Sequence, residues 1–342
     1  MDYSYFQDKK VLVTGGAGAI GSRLTRKLLK HGSIVIVLDD LSSGYLWNLP
    51  KSSRLMFVEG DVSDDIILKR VFGEEPEVIF HLAAFFANQN SVDYPEKDLL
   101  TNGFGTLKLL EYCSLVKNVE RFVYASSGCS IYPTDAPMPY VEELTTMYMS
   151  TPYQITKMLG ELYCNYYQKM KEVPVAKARF FNSYGAGEVP GQYRNVIPNF
   201  IYWAMNGIAL PITGTGEETR DFTYVGDIVD GLLRMAYLKE ALGEEINLAA
   251  GREVKIKDLA QKIIDRTESH AGIEFLPRRK WDTKPRLLAS NEKAKKILGF
   301  TPTIDFDVGL DEAIEWFKTH WEEIEKSADF PPGTSSAVRH FK

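Results

Sequence analysis

The chain has 342 residues, 44% hydrophobic and 25% charged, enough apolar material to bury a large core in one or two domains. Its formal net charge of −6, with no basic stripe to set against it, argues against a nucleic-acid partner, although a few arginines can still hold a small anion. No run approaches the ~20 apolar residues of a membrane span and the first residues carry no basic leader, so no membrane association and a cytoplasmic location are expected; three distant cysteines and five scattered histidines point to reduced thiols and no metal site.

In chain order, Val11-Leu-Val-Thr is a short β-branched run that breaks at Gly15-Gly-Ala-Gly18-Ala19-Ile20-Gly21 into a helical stretch, Ser22 to Lys30. A buried strand ending in a glycine turn and opening a helix is what a dinucleotide pyrophosphate needs. Gly15 or Gly16 permits the tight turn, Gly18 lets the backbone approach phosphate and Gly21 lets the helix pack close, while the helix-start N–H groups face the anion. The bland reading is an ordinary glycine-rich turn. Against it, a second apolar run, Ile34 to Leu38, ends in Asp39, about 20 residues downstream, where a ribose-binding acid is required.

Leu55 to Val58 reads as a third strand, followed by Gly60-Asp61-Val62 and a helical Asp64 to Phe72. Val78 to Ala84, apolar nearly throughout, is a fourth strand of the kind covered by helices on both faces, with His81 a satisfied strand residue rather than a catalyst. A long amphipathic helix around Asn102 to Val116 precedes a fifth strand, Arg121 to Ala125, which runs into Ser126-Ser127-Gly128-Cys129-Ser130. The next helix contains Tyr153-Gln-Ile-Thr-Lys157, whose i, i+4 spacing puts both side chains on one face, so that the ammonium can favour the ionised phenol. Val175 to Phe181 is a further strand. Beyond it Gly-, Pro- and Asn-rich segments around 185–195 and 214–218 interrupt shorter elements, with helical stretches at Ile228 to Lys239, Ile256 to Thr267, Asn291 to Leu298 and Val308 to Trp321.

The alternation predicts an α/β fold, a doubly wound parallel (Rossmann) sheet with a smaller C-terminal α/β substrate-binding region. The expected division is a dinucleotide-binding domain over 1–182 that also receives later segments near 220–250, a mainly substrate-binding region over 183–330, and a flexible tail over 331–342.

These motifs resemble those of the extended short-chain dehydrogenase/reductases, in particular the NAD-dependent nucleotide-sugar epimerases and dehydratases, over nearly the whole length. The resemblance implies that NAD is held by Gly15, Gly18, Ala19, Ile20 and Gly21 at the loop and helix start, and by Asp39, Asp40, Ser43 and Gly44 at the adenosine ribose. Asp61 and Val62 would meet adenine, and Leu82-Ala83-Ala84 with Ala125 would form the cofactor wall. Asn102, in Asn-x-x-Gly-Thr, would stand among the cofactor residues and buttress the active-site helix, and Tyr153 and Lys157 would be the Tyr-x-x-x-Lys pair. It also implies a nucleoside-diphosphate sugar as substrate: Asn182 would contact it, Asn195 and Val196 close over the nucleotide, Arg220 meet the diphosphate, and Arg279 with Asp282 grip phosphate and ribose. A surface ion pair is the bland alternative for each arginine. NAD is expected rather than NADP, because Asp39 and Asp40 would repel a 2′-phosphate and no arginine follows in Leu41-Ser-Ser-Gly44.

Departures from the family bear on the reaction. The hydroxyl that usually stands four residues before the equivalent of Tyr132 is missing, since Gly128 is there. Either the strand end bulges, Gly128 absorbs the distortion and Ser127 does the work, or Ser130 takes over; the first is preferred, with Cys129 pointing away from the sugar. The glutamate that dehydratases and decarboxylases place two residues before that tyrosine is Ser130, which favours an epimerase. Cys129-Ser-Ile-Tyr-Pro133 is similar to the Cys-Ile-Tyr-Pro of 3,5-epimerases with one residue inserted, so Cys129 is either an acid or base or simply packing. The leading expectation is 4-epimerisation of a nucleoside-diphosphate hexose, a UDP-sugar, through a 4-keto intermediate, with Tyr153 as base, Ser127 on the same oxygen and Lys157 lowering the phenol pKa. The alternatives are an NDP-sugar dehydratase or decarboxylase, a 3,5-type epimerase using Cys129, and a non-catalytic dinucleotide-binding sensor. A homodimer is expected through the helices containing Asn102 and Tyr153.

Overall fold

A computed structural model describes residues 3–328; the tail expected over 331–342 lies outside the described residues. Seven strands form one parallel sheet: β1 (Lys10–Thr14), β2 (Ile34–Asp39), β3 (Leu55–Glu59), β4 (Val78–His81), β5 (Arg121–Ser127), β6 (Val175–Phe180) and β7 (Glu245–Leu248), in the order β3-β2-β1-β4-β5-β6-β7. The eight longer helices are α1 (Ala19–Lys30), α2 (Asp65–Gly73), α3 (Gly105–Leu115), α4 (Pro152–Lys171), α5 (Val196–Met205), α6 (Val225–Tyr237), α7 (Ile256–Arg266) and α8 (Phe306–Thr319).

The period of two along each strand divides its side chains between two helix layers. Val11, Val13, Val35 and Val37 pack with Leu24 and Leu28 of α1 and Ile228 and Leu232 of α6. Leu12, Ile36 and Leu38 face the other way, onto Leu68 of α2, Leu109 and Leu110 of α3 and Cys164 of α4. Both sheet faces are thus covered, which is why these runs are apolar almost without alternation. β1 lies between β2 and β4, so the winding reverses there and a crevice opens at the carboxyl ends of the strands.

The expected strands and helices recur with shifted ends, and β7 brings residues 245–248 back into the main sheet beside β6. The fourth strand stops at His81, and residues 82–84 leave the sheet toward the crevice. The helix expected from Asn102 begins as a π-helical turn, Leu99–Phe104, and becomes regular only at Gly105, where an added Cβ would stand 2.6 Å from Val62 Cγ2. Residues after β6 build a second core from α5, α7, α8 and the parallel pair Leu210–Thr213 and Ile273–Leu276, with Phe200, Trp203, Ile263 and Phe317 at its centre. Among the described residues no helix is long and apolar enough to cross a membrane.

Candidate functional site

The crevice at the switch point continues into the second core as a cleft of about 440 Å³, within the usual range for small-molecule sites. At one end, β1 gives way to Gly15, whose φ of +68° and near contact with Ala83 (a Cβ would lie 2.7 Å from its nitrogen) admit only glycine. Gly21 lets α1 close on that loop: a Cβ there would stand 2.1 Å from Gly15 O. No side chain caps the start of α1 at Gly18, so its first N–H groups and dipole face the cleft, lined here by Gly18, Ala19 and Ile20. Asp39 ends β2 on the same rim. Its Oδ2 accepts from Ala17 N and its Oδ1 from Leu41 N, both at 2.9 Å, leaving each oxygen further acceptor capacity for ribose hydroxyls. Asp40, Ser43, Gly44, Asp61 and Val62 continue this wall, and Leu82, Ala83, Ala84 and Ala125 form the opposite one. The glycine cradle, uncapped helix start and paired acceptor fit a dinucleotide.

Arg194 joins this rim from a distant part of the chain. Although Leu41 to Gly44 contains no arginine, Arg194 arrives from the second region and donates to Ser43 O, close enough to act electrostatically on Asp39.

The middle of the cleft carries the tyrosine–lysine pair. Thr151 caps α4 through Gln154 N, Pro152 opens it with φ already helical, and the Ser91 hydroxyl takes the Tyr153 N–H. Lys157 lies one turn on, 3% exposed, donating to Ala125 O at 2.8 Å with its ammonium 5.7 Å from the centre of the Tyr153 ring. Burial brings its pKa down to about 8, so it stays largely charged at neutral pH. The Tyr153 phenol is pushed up by burial and then by the Asp98 carboxylate, while a hydrogen bond from Ser127 lowers it. Burial is the largest of these influences, so in the ligand-free cleft the phenol stays above its ordinary value despite the ammonium nearby.

The serine turn also departs from expectation. β5 does not bulge; it pairs regularly with β6 as far as Ser127 opposite Phe180. Gly128 then opens a helical turn, Gly128–Ile131, with an ordinary negative φ. Glycine is required there by space, because a Cβ would lie 2.0 Å from Cε2 of the buried Phe181. Even so, Ser127 reaches the phenol, and its hydroxyl donates to Ser130 Oγ at 3.0 Å. Cys129 does not turn away. It lines the same cleft, its Sγ accepts from Asn182 N at 3.3 Å, and burial pushes the thiol up to about 11.

Of the residues assigned to cofactor, substrate or catalysis, Asn102 alone is absent from the cleft wall. Its amide is spent behind the wall, accepting from Phe85 N and donating to Asp98 and Thr156, so it buttresses α4 and touches no ligand space. His81 is likewise satisfied, bridged by Thr14 and Thr106 at 2.8 and 2.9 Å, and burial lowers its pKa to about 3.

The far end is cationic. Arg220 pairs with Asp282 at 3.0 Å, and Arg279 lies 5.3 Å from the centre of the Trp281 ring with its buried Nε unpartnered in the protein. A planar guanidinium with unspent donors suits phosphate oxygens. Asn182, Asn195 and Val196 complete this part, between Phe200, Trp203 and Ile212. Sequence reasoning missed Glu188 and Lys284, both buried and lining the cleft. Burial pushes the Glu188 carboxyl up to about 7 and pulls Lys284 down to about 8. Neither stands in a spacing pattern; only the chain's return over the cleft reveals them.

The model of the NAD dependent epimerase/dehydratase family matches residues 11–249. A UDP-glucose 4-epimerase of Mycolicibacterium smegmatis is 34% identical over 312 residues, 90% of this chain and 98% of that one. Among solved structures, an epimerase of the thermophilic pseudomurein-containing methanogen Methanothermobacter thermautotrophicus is 55% identical, with a TM-score of 0.95 over 96% of this chain and 97% of that one. A Bordetella bronchiseptica enzyme solved with NAD+ and UDP is 35% identical, with a TM-score of 0.81 over 95% and 96% of the two chains.

Proposed function

The chain belongs to the NAD dependent epimerase/dehydratase family, and from that premise we propose that it epimerises a nucleoside-diphosphate hexose, a UDP-sugar, at C4 through a transient 4-keto sugar. NAD is the cofactor; when bound it supplies the hydride acceptor and donor, and its positive ring lowers the phenol pKa that burial raises. Gly15, Gly18 and Gly21 would hold its pyrophosphate and Asp39 its ribose.

Tyr153 takes the proton of the C4 hydroxyl as the C4 hydride leaves, and returns it after the keto sugar has turned over in the cleft. Ser127, whose hydroxyl donates to Ser130 Oγ in the structure, would swing that proton to the phenol oxygen and then to the sugar oxygen. Lys157 keeps a fixed positive charge beside the ring and would hold the nicotinamide ribose. Arg220 and Arg279 receive the diphosphate through charge-assisted hydrogen bonds of about 1.5–3 kcal/mol each.

The observation that carries this reading is that the turn facing Tyr153 presents the hydroxyls of Ser127 and Ser130 and the Cys129 thiol but no carboxylic acid. Ser130, bonded to Ser127, occupies the place two residues before Tyr132 where an eliminating or decarboxylating enzyme needs a carboxylic acid. We also propose a homodimer in the cytoplasm: Leu99, Leu100 and Phe104 lie exposed beside Ile155, Leu162 and Tyr166 of α4, a contiguous apolar face that a second copy would cover. Incubation with a panel of UDP-, GDP-, CDP- and dTDP-sugars, with product separation and NMR, tests the proposal. Conversion of one UDP-sugar to its C4 epimer is expected; formation of a deoxysugar or a pentose would overturn it.

A further inference from the structure

The Lys284 ammonium is buried in the cleft, 7% exposed, and makes one hydrogen bond, to Cys129 O at 3.0 Å, with the Tyr140 ring centre 5.5 Å away. Among the described residues it enters no ion pair. Asp282, two residues before it in the chain, is taken by Arg220 at 3.0 Å and Arg278 at 3.7 Å. Asp221 is turned onto the backbone N–H groups of Ala250, Gly251 and Ala289, and the Cys129 thiol is held neutral by its raised pKa. An ammonium out of water without a counter-ion is strongly disfavoured, and this one also feels the repulsion of Arg220. Its pKa still stays above neutrality, at about 8, so a charge with donors to spare faces the cleft.

Its hydrogen bond, not its distance, distinguishes it from the diphosphate arginines, since Arg220 is near enough to repel it. The carbonyl it binds belongs to the turn that carries Ser127 and Ser130 to Tyr153, where the epimerase reading places the reacting sugar. We infer that Lys284 pairs with an anionic substituent on that sugar, so that the preferred substrate is a nucleoside-diphosphate uronic acid and not a neutral hexose. A carboxylate supplies the missing counter-ion and can accept from the donors that Cys129 leaves free. A hydroxymethyl group would leave the charge buried and unpaired. This inference rests on the epimerase reading above.

The test compares UDP-glucuronate with UDP-glucose, and their 2-acetamido counterparts, on the NAD-loaded protein and on Lys284→Met and Lys284→Arg. In the wild type, kcat/KM for the uronate should exceed that for the neutral sugar by about 10²-fold, the loss typical of a desolvated charge left unpaired. Lys284→Met should collapse that ratio at least tenfold, mainly through KM, and Lys284→Arg should restore part of it. Preference for the neutral sugar, or a ratio unchanged in Lys284→Met, overturns the inference. Calorimetry with UDP alone separates the other source of anion: equal weakening of UDP and of UDP-glucuronate in Lys284→Met assigns Lys284 to the diphosphate and also overturns it. If no sugar nucleotide turns over while UDP and NAD bind, the epimerase reading fails; tighter wild-type binding of UDP-glucuronate than of UDP-glucose, lost in Lys284→Met, still supports the role of Lys284.

Discussion

Substitution of Gly128 by Ala probes the turn that sets the reaction centre. The new Cβ would stand 2.0 Å from Phe181 Cε2 and 2.7 Å from its Cδ2 and Cζ. Carbon atoms meet comfortably at about 3.5 Å or more, so ring or turn must retreat by about 1.5 Å. Phe181 has no room to yield, being fully buried and stacked on Tyr132 at 6.1 Å between centroids. Overpacking of this kind costs about 1–3 kcal/mol, and the depth of the overlap places Gly128→Ala at the upper end. Urea unfolding of Gly128→Ala, Phe181→Leu and the double variant reads the effect. Phe181→Leu alone destabilises by emptying part of the ring's space, yet it should relieve the clash, so the double variant is more stable than the two single losses combined would make it. A Gly128→Ala protein as stable as the wild type, with additive effects in the double variant, would refute the steric origin of this glycine.

Tyr153→Phe should abolish turnover while NAD and UDP still bind, because only the proton acceptor is lost; Lys157→Met should lower both rate and NAD retention, measured by cofactor extraction, and a wild-type rate in Tyr153→Phe would remove the proposed base. Glu188 gives a signed pH dependence: its folded pKa of about 7 lies above the ordinary 4.5, so below about pH 4.5 both states are protonated and nothing is lost, whereas between 4.5 and 7 the folded state retains a proton that the unfolded state has released and stability falls as pH rises. Glu188→Gln can still accept from Asn195 Nδ2, so its melting temperature relative to wild type should climb across that window and level off above it; a flat difference would place the folded pKa elsewhere. Leu162→Glu on the exposed face of α4 should convert a dimer to a monomer in sedimentation, and an unchanged sedimentation coefficient would move the interface.

The dinucleotide half was legible because its determinants are local. A β-branched run, three glycines and an acid about 20 residues on specify strand, turn, helix and a carboxylate at the cleft rim by spacing alone, and Gly15, Gly21 and Asp39 stand where that spacing put them. Tyr153 and Lys157 share a helical face for the same reason. Where a determinant lies far along the chain, spacing was silent. The cause of Gly128 is Phe181, more than fifty residues on, so the sequence suggested backbone strain where the structure has a packing constraint. Arg194 beside Ser43, and Lys284 on Cys129 O, join segments about 150 residues apart, and no periodicity anticipates such contacts. Asn102 illustrates the converse. Its motif placed it correctly against α4, but its side chain faces Asp98 and Thr156 behind the wall and not the cleft.

The central claim is that hydride leaves C4 and returns to C4 while Tyr153 moves only an oxygen-bound proton. Turnover of the preferred UDP-sugar in deuterium oxide, followed by NMR of the sugar product, tests it most directly. Inverted configuration at C4 with no deuterium on any ring carbon is the expected result, because neither proton nor hydride exchanges carbon-bound hydrogen with solvent. Deuterium at C3 or C5, above all if Cys129→Ala abolished it, would contradict the claim and assign the reaction to carbanion chemistry beside the keto group.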